Sequence, residues 1–259
     1  MSLENVVDER LKGAQLKLVV ARVQHDRLMA ASDAAKAIAI QSHLDESLRG
    51  PRPMAAPGVV LQVGAVPGGD PAPSLNLAAW QYVSDENDWV ATVAPDFFSL
   101  ETLTYGSWEA FRTRLGQLIW AVEEVLSPTL TQRVGLRYID ELRVSGIAGP
   151  GDWAGRIAPS FLGAAHDPEL RTSVIGIQQA VELQGPNRTK VTLRHGTVRT
   201  VDGLPAYLLD HDCYSDDARA FDVEDLLGEY DSLHQLALGV FQRAITADFY
   251  RQLKDGAVS

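Results

Sequence analysis

Residues 15–25 (QLKLVVARVQH) are rich in β-branched side chains and half alternate between apolar and polar, which predicts a strand. The period then changes. Residues 34–47 are good helix formers with Ala35, Ile38 and Ala39 on one face, behind Ser32 as the N-cap. Gly50-Pro51 with Pro53 predicts the stop. Residues 58–66 (GVVLQVGAV) read as a strand and residues 67–74 (PGGDPAPS) as a loop. Residues 75–83 and 89–94 read as a hairpin turning at Asp85-Glu86-Asn87. The most regular helical stripe follows Gly106-Ser107, where Trp108, Phe111, Leu115, Leu118, Ile119, Val122 and Val125 recur at steps of three and four. Ser127-Pro128 ends it, and residues 132–144 (QRVGLRYIDELRV) alternate as a strand.

Strand, helix, strand, hairpin, helix, strand is the split βαββαβ plan of a ferredoxin-like sheet with one strand added. The expected class is therefore α+β, with antiparallel sheets and helices on one face. The glycine-rich residues 146–151 divide the chain into a ferredoxin-like half, 1–146, and a second half, 152–259, the two packed as one unit. The second half opens with a short helix over residues 153–162. Three antiparallel strands follow at 174–183, 190–198 and 206–214, with turns at Gly185-Pro186-Asn187 and Asp202-Gly203. Asp222 caps a closing helix running to about residue 253, where Gly228 or Gly239 marks the place for a bend. Residues 3–11 read as a short polar helix.

Composition narrows the class. With 46% apolar and 22% charged residues, the 259-residue chain matches a globular domain able to bury a core, not a disordered one. The longest apolar run, residues 34–40, contains Lys36, so no membrane-spanning helix is expected, and the first fifteen residues lack the apolar centre of a secretion signal. The single cysteine, Cys213, excludes an intramolecular disulfide and a cysteine-built zinc centre, and a cytoplasmic setting fits best. A formal charge of −11 opposes nonspecific binding to phosphate backbones and anionic membranes, so neither nucleic acid nor membrane is an expected partner.

Candidate chemistry sits on two strands. In residues 132–144, Val134, Leu136 and Tyr138 face one way, and Arg133, Arg137, Glu141 and Arg143 the other. In residues 206–214, Asp210 and Asp212 share one face, His211 and Cys213 the opposite one. If the strands share a sheet, Arg133 and Arg137 meet Asp210 and Asp212. The pairs then form either a structural salt-bridge network, at about 0–1 kcal/mol per exposed pair, or a pocket whose guanidinium forks take a small anionic ligand. Asp210-x-Asp212 suits Mg²⁺ or Mn²⁺, but no third ligand has a matching signature, so no metal or cofactor is assigned. His211 beside Cys213 could pair imidazole with thiol, yet no oxyanion device or third partner is visible, and a small buried cysteine is expected. His195 is expected to be structural, and His234, at the edge of the closing helix's stripe, a packed histidine bonded to the sheet or a loop. Phe97, Phe98, Trp108, Phe111 and Trp120 are expected in the core. Dinucleotide, phosphate-loop, zinc-peptidase and nucleophile-elbow motifs are absent, and no catalytic residue is assigned.

Residues 96–115 (DFFSLETLTYGSWEAFRTRL), 132–142 (QRVGLRYIDEL) and 232–246 (SLHQLALGVFQRAIT), with LLDHD at 208–212, resemble a sporadically distributed family of uncharacterised bacterial proteins of about this length. The resemblance spans most of the chain. It departs where that family carries a proline pair before its early strand and this chain has ENVVDERLKGAQ. It implies a shared fold and supplies no catalytic residue.

Three functions follow in order of expectation. The first is a non-catalytic interaction or accessory protein that binds a protein partner, or itself, through its sheet edges. The second is a small anionic-ligand-binding protein using Arg133, Arg137, Asp210 and Asp212. The third is an enzyme with an acid–base group among Asp210, Asp212, His195 and His234, which requires at least two of the four in one pocket.

Overall fold

The computed structural model describes residues 6–55 and 78–258. The strand and loop expected over 58–74 lie outside them. Among the described residues, ten antiparallel strands form one sheet in the order β2-β3-β4-β5-β1-β6-β9-β8-β7, with β10 pairing beside β6. The elements run β1 (Leu16–His25), α1 (Ala34–Gln41), β2 (Leu48–Ala55), β3 (Ala78–Ser84), β4 (Trp89–Val93), β5 (Phe97–Thr102), α2 (Trp108–Leu126) and β6 (Leu130–Leu142). They continue with one-turn α3 (Pro159–Leu162), β7 (Gln178–Gln184), β8 (Lys190–Arg199), β9 (Pro205–Ser215), β10 (Arg219–Ala220), α4 (Val223–Ala244) and α5 (Ala247–Asp255). The fold is α+β. β1 lies between β5 and β6, antiparallel to both, so α2 carries the chain across β1. β6 pairs with β1 on one side and β9 on the other, so one sheet runs from the first half of the chain into the second.

Alternation gives this sheet two chemically different faces. Val19, Ala21 and Val23 of β1, Val134, Leu136 and Tyr138 of β6, and Cys213 of β9 point inward and are buried. Helices α2 and α4 cover them with Phe111, Leu115, Leu118, Leu226, Tyr230 and Leu233. A second cluster packs Tyr207 and Leu209 of β9 against Trp153, Leu162, Ile245 and Phe249. Phe111, Leu115, Leu118, Ile119 and Val122 of the α2 stripe are buried as their spacing predicts, with Trp108 and Val125 half-buried. Phe97, however, is half-buried under Arg22, and Trp120 is not core: it is 46% exposed and meets His43 edge-on at 4.8 Å.

Several local expectations are corrected. Helix α1 ends at Gln41, and its N-cap is Asp33, whose carboxylate accepts from the Ala35 amide at 2.8 Å. Residues 48–55, read as a break, form edge strand β2, bulged between Arg49 and Arg52. An edge position tolerates Pro51 and Pro53, because an outward-facing residue needs no amide hydrogen for the ladder. Residues 97–102 are a strand of their own, set off by a tight turn in which the Ala94 amide donates to the Phe97 carbonyl at 2.8 Å. Residues 6–11 are an extended strap, not a helix. The helix expected over 153–162 is two single turns, Pro150–Trp153 and Pro159–Leu162. The closing helix breaks at neither glycine. It breaks at Ile245, which is extended (φ −109°, ψ 159°), and Thr246 caps α5. There the Thr246 amide donates to the Arg156 carbonyl and the Ala158 amide to the Ala244 carbonyl, both at 2.8 Å, so the 150s segment takes the hydrogen bonds that helix continuation would have made.

Two glycines test this packing. A Cβ on Gly196 of β8 would lie 1.9 Å from the Ile177 carbonyl oxygen, whereas one on Gly228 of α4 meets nothing within 4 Å. Gly196→Ala is expected to lower the urea midpoint by the equivalent of about 3 kcal/mol or more. Gly228→Ala is expected to raise it by about 0.5–1 kcal/mol.

Candidate functional site

The outward face carries the arginines and aspartates. Pairing of β6 with β9 sets Arg137 opposite Asp212 and Gly135 opposite Tyr214. Arg137 grips Asp210 with two hydrogen bonds, Nε to Oδ1 at 2.6 Å and Nη2 to Oδ2 at 2.7 Å. That bidentate contact raises the already high Arg137 pKa. Arg133 donates from Nη2 to Asp212 Oδ2 at 2.9 Å and lies over the Tyr214 ring at 4.1 Å. Burial pushes the Asp212 carboxyl up, against the pull of Arg133 and Arg137. Arg133, Arg137 and Asp212, with Arg22 of β1, line a shallow recess of about 220 Å³. Asp210 lies outside that lining and is the anchor of Arg137.

The other singled-out residues lie elsewhere. Cys213 is fully buried on the inward face, and burial pushes its thiol pKa up, away from the reactive thiolate. His195 is buried in the second cluster, where Nδ1 is 2.9 Å from the Tyr207 hydroxyl, which itself donates to the Phe161 carbonyl. His234 is buried on α4. The four acid–base candidates therefore occupy three places: Asp210 and Asp212 outward, His195 in the second cluster, and His234 beneath α2. Of the four, only His234 lines the cavity there and only Asp212 lines the outward recess, so among the described residues neither holds the two that acid–base chemistry required.

His234 leads to a cavity of about 710 Å³ between the inward face of β6 and β9 and helices α2 and α4. The strap of residues 8–14 forms its rim. Val7 and Gln242 pair through both amides, the Gly13 amide donates to the Leu253 carbonyl at 2.8 Å, and Lys254 meets Glu9 at 2.6 Å, so the strap is tied to both closing helices. Inside, the His234 ring stacks on Trp108 at 4.4 Å with 7° between planes. Its Nδ1 is 2.8 Å from the Tyr138 hydroxyl and its Nε2 is 3.3 Å from Asp8. Burial lowers the His234 pKa. The neutral ring then donates from Nε2 to the Asp8 carboxylate and accepts at Nδ1 from the Tyr138 hydroxyl. Tyr105 packs edge-on against Tyr138, with ring centroids 5.8 Å apart.

The floor holds two buried ionisable groups, Asp140 and His211. Asp140 is 7% exposed, and its carboxyl has no hydrogen-bond or charge partner among the described residues. Burial pushes it up to about 7. His211, 2% exposed and stacked on Tyr138 at 5.7 Å, has a buried Nδ1 without a partner, and burial pushes its pKa down to about 4. Sequence reasoning did not single out Asp140. Its signal was present: counting by twos from Val134, Leu136 and Tyr138 puts a lone carboxylate on the apolar side of β6. Four acids (Asp8, Glu9, Glu109, Asp140) line the cavity against two bases (Arg10, Lys12), so its field favours a positive guest. Among the described residues no cluster of three or more metal-ligating side chains occurs.

No protein-family model matches this chain, and a search of curated proteins finds no relative.

Asp140 makes stability depend on pH. Its folded pKa, about 7, lies above its ordinary 3.8, so folding is favoured fully below pH 3.8 and loses that support as pH rises towards 7. Asparagine mimics the protonated form at every pH. Asp140→Asn is expected to stabilise the fold by about 2–4 kcal/mol at pH 8 and to match wild type within about 0.5 kcal/mol at pH 4, measured by urea unfolding. A difference that does not change with pH would contradict the assignment.

Proposed function

We propose that this protein binds a small organic cation, with the ligand's protonated amine on Asp140 and its apolar body against Tyr105, Tyr138, Trp108 and Phe241. The observation that carries this reading is the buried, unpartnered carboxyl on the floor of a cavity large enough for a ligand. A buried carboxyl with no partner is a standing cost to the fold. An ammonium group removes that cost by supplying the missing counter-charge. Aromatic faces beside a carboxylate suit the same guest, because a cation is attracted to the negative face of a ring. The Tyr138–His234–Asp8 hydrogen-bond chain holds the wall and keeps the strap seated.

This reading fits the geometry better than docking of a protein partner. Edge strand β7 presents Gln178, Gln179, Glu182 and Gln184, with Val181 half-exposed, and offers no apolar stripe for an added strand. We further read the first half as a ferredoxin-like plan opened by an inserted hairpin. The support is that α1 and α2 each link parallel strands, β1 to β2 and β5 to β6, with β3 and β4 added between β2 and β5. A cytoplasmic setting is supported by Cys213 remaining a free, buried thiol.

Calorimetry with phenethylamine and its neutral counterpart 2-phenylethanol, at pH 8, tests the proposal. The amine is expected to bind at least about tenfold more tightly, a difference of about 1.4 kcal/mol. Asp140→Asn is expected to remove that preference, and Leu238→Trp, which fills the cavity wall, to abolish binding. Equal affinity for amine and alcohol, or an amine preference that survives Asp140→Asn, would contradict the proposal.

A further inference from the structure

We propose that the outward face of the sheet carries a second site, which binds a phosphate group in the recess over Gly135. The recess exists because β6 has no side chain there. Gly135 pairs with Arg22 of β1 on one side and Tyr214 of β9 on the other. A Cβ at that position would sit 3.4 Å from Asp212 Oδ1 and 3.8 Å from the Tyr214 Cβ, filling the floor. Around this gap stand the guanidiniums of Arg22, Arg133 and Arg137 and a single lining carboxylate, Asp212, with Asp210 behind Arg137 and Asp96 near Arg22.

The three forks are placed before any ligand arrives. Arg137 is held by its two bonds to Asp210. Arg133 is held by Asp212 and the Tyr214 ring, and its Nε is buried with no partner. Arg22 lies 3.8 Å over the Phe97 ring and has no hydrogen bond or ion pair among the described residues. Burial lowers the Arg22 pKa and the facing charge of Arg133 adds to that, while the Asp96 carboxylate pulls the other way without pairing with the guanidinium. The several acceptor oxygens of a phosphate match donors converging from two strands, the unpartnered Arg133 Nε among them. A carboxylate offers only two such oxygens. The recess is open and about 220 Å³, room for a phosphate and the first atoms of the molecule bearing it. With the chain's formal charge of −11, this local patch opposes the global field, which favours a small phosphate over a long polyanion.

Thermal shift and calorimetry with inorganic phosphate at pH 7.5 test the site, with sodium chloride holding ionic strength constant. Phosphate is expected to raise the melting temperature saturably, and acetate to bind at least about tenfold more weakly. Arg22→Ala removes no ion pair and is expected to fold normally by circular dichroism while losing at least about tenfold in phosphate affinity. Gly135→Ala tests the recess independently and is expected to weaken phosphate by a similar factor, while Asp140→Asn leaves it unchanged. The proposal is overturned if phosphate stabilises no more than chloride at equal ionic strength, or if the folded Arg22→Ala variant binds phosphate like wild type. Binding of a single-stranded oligonucleotide without binding of free phosphate would overturn it as well.

Discussion

Everything distinctive about this protein depends on the antiparallel pairing of β6 with β1 and β9. A strand in the middle of a sheet has both of its hydrogen-bonding edges used, so its register is locked on each side. Alternation then sends Val134, Leu136, Tyr138 and Asp140 to the helices and Arg133, Gly135 and Arg137 to the opposite face. A slip of one residue would bury two guanidiniums and expose the core. The apolar inward residues therefore hold the polar outward ones in place, and the same lock delivers Asp140 to an interior it would not choose.

The two faces treat charge in opposite ways. Outward, each aspartate has an arginine close by, and solvent screens what remains, so the Arg137–Asp210 and Arg133–Asp212 pairs contribute little to stability and much to geometry. Inward, the ionisable groups are buried. Asp140 responds by holding its proton to about pH 7, and His211 by staying neutral down to about pH 4. Hydrogen bonds to Tyr138 and Asp8 satisfy His234 completely. The proposed ligand site rests on the contrast between that finished chain and the unfinished Asp140 and His211.

Much of this was legible in the chain before folding. The stripe of α2, the alternation of β6, the opposite faces of Asp210/Asp212 and His211/Cys213, and a packed, sheet-bonded His234 all follow from periodicity, because periods of 3.6 and 2 are local properties. Most of what failed was non-local. Prolines signalled a break at residues 48–55, but an edge strand needs only half its amides. Helix α4 stops because a segment ninety residues earlier takes its last hydrogen bonds, which no residue near Ile245 announces. Trp120 lies about half a turn round α2 from Phe111, so it faces His43 and solvent instead of the sheet. Arg22 went unnoticed because its importance comes from Gly135, a strand away, having no side chain. Asp140 was readable by parity and overlooked because attention went to the charges on the expected polar side.

Proton release on binding tests the central claim most directly. An amine that binds the Asp140 carboxylate must displace the proton that the empty cavity holds below about pH 7. Calorimetry of phenethylamine binding at pH 6, in two buffers of different ionisation enthalpy, is predicted to show release of close to one proton per ligand, falling to none at pH 8.5. Binding at pH 6 with no proton released would contradict the account.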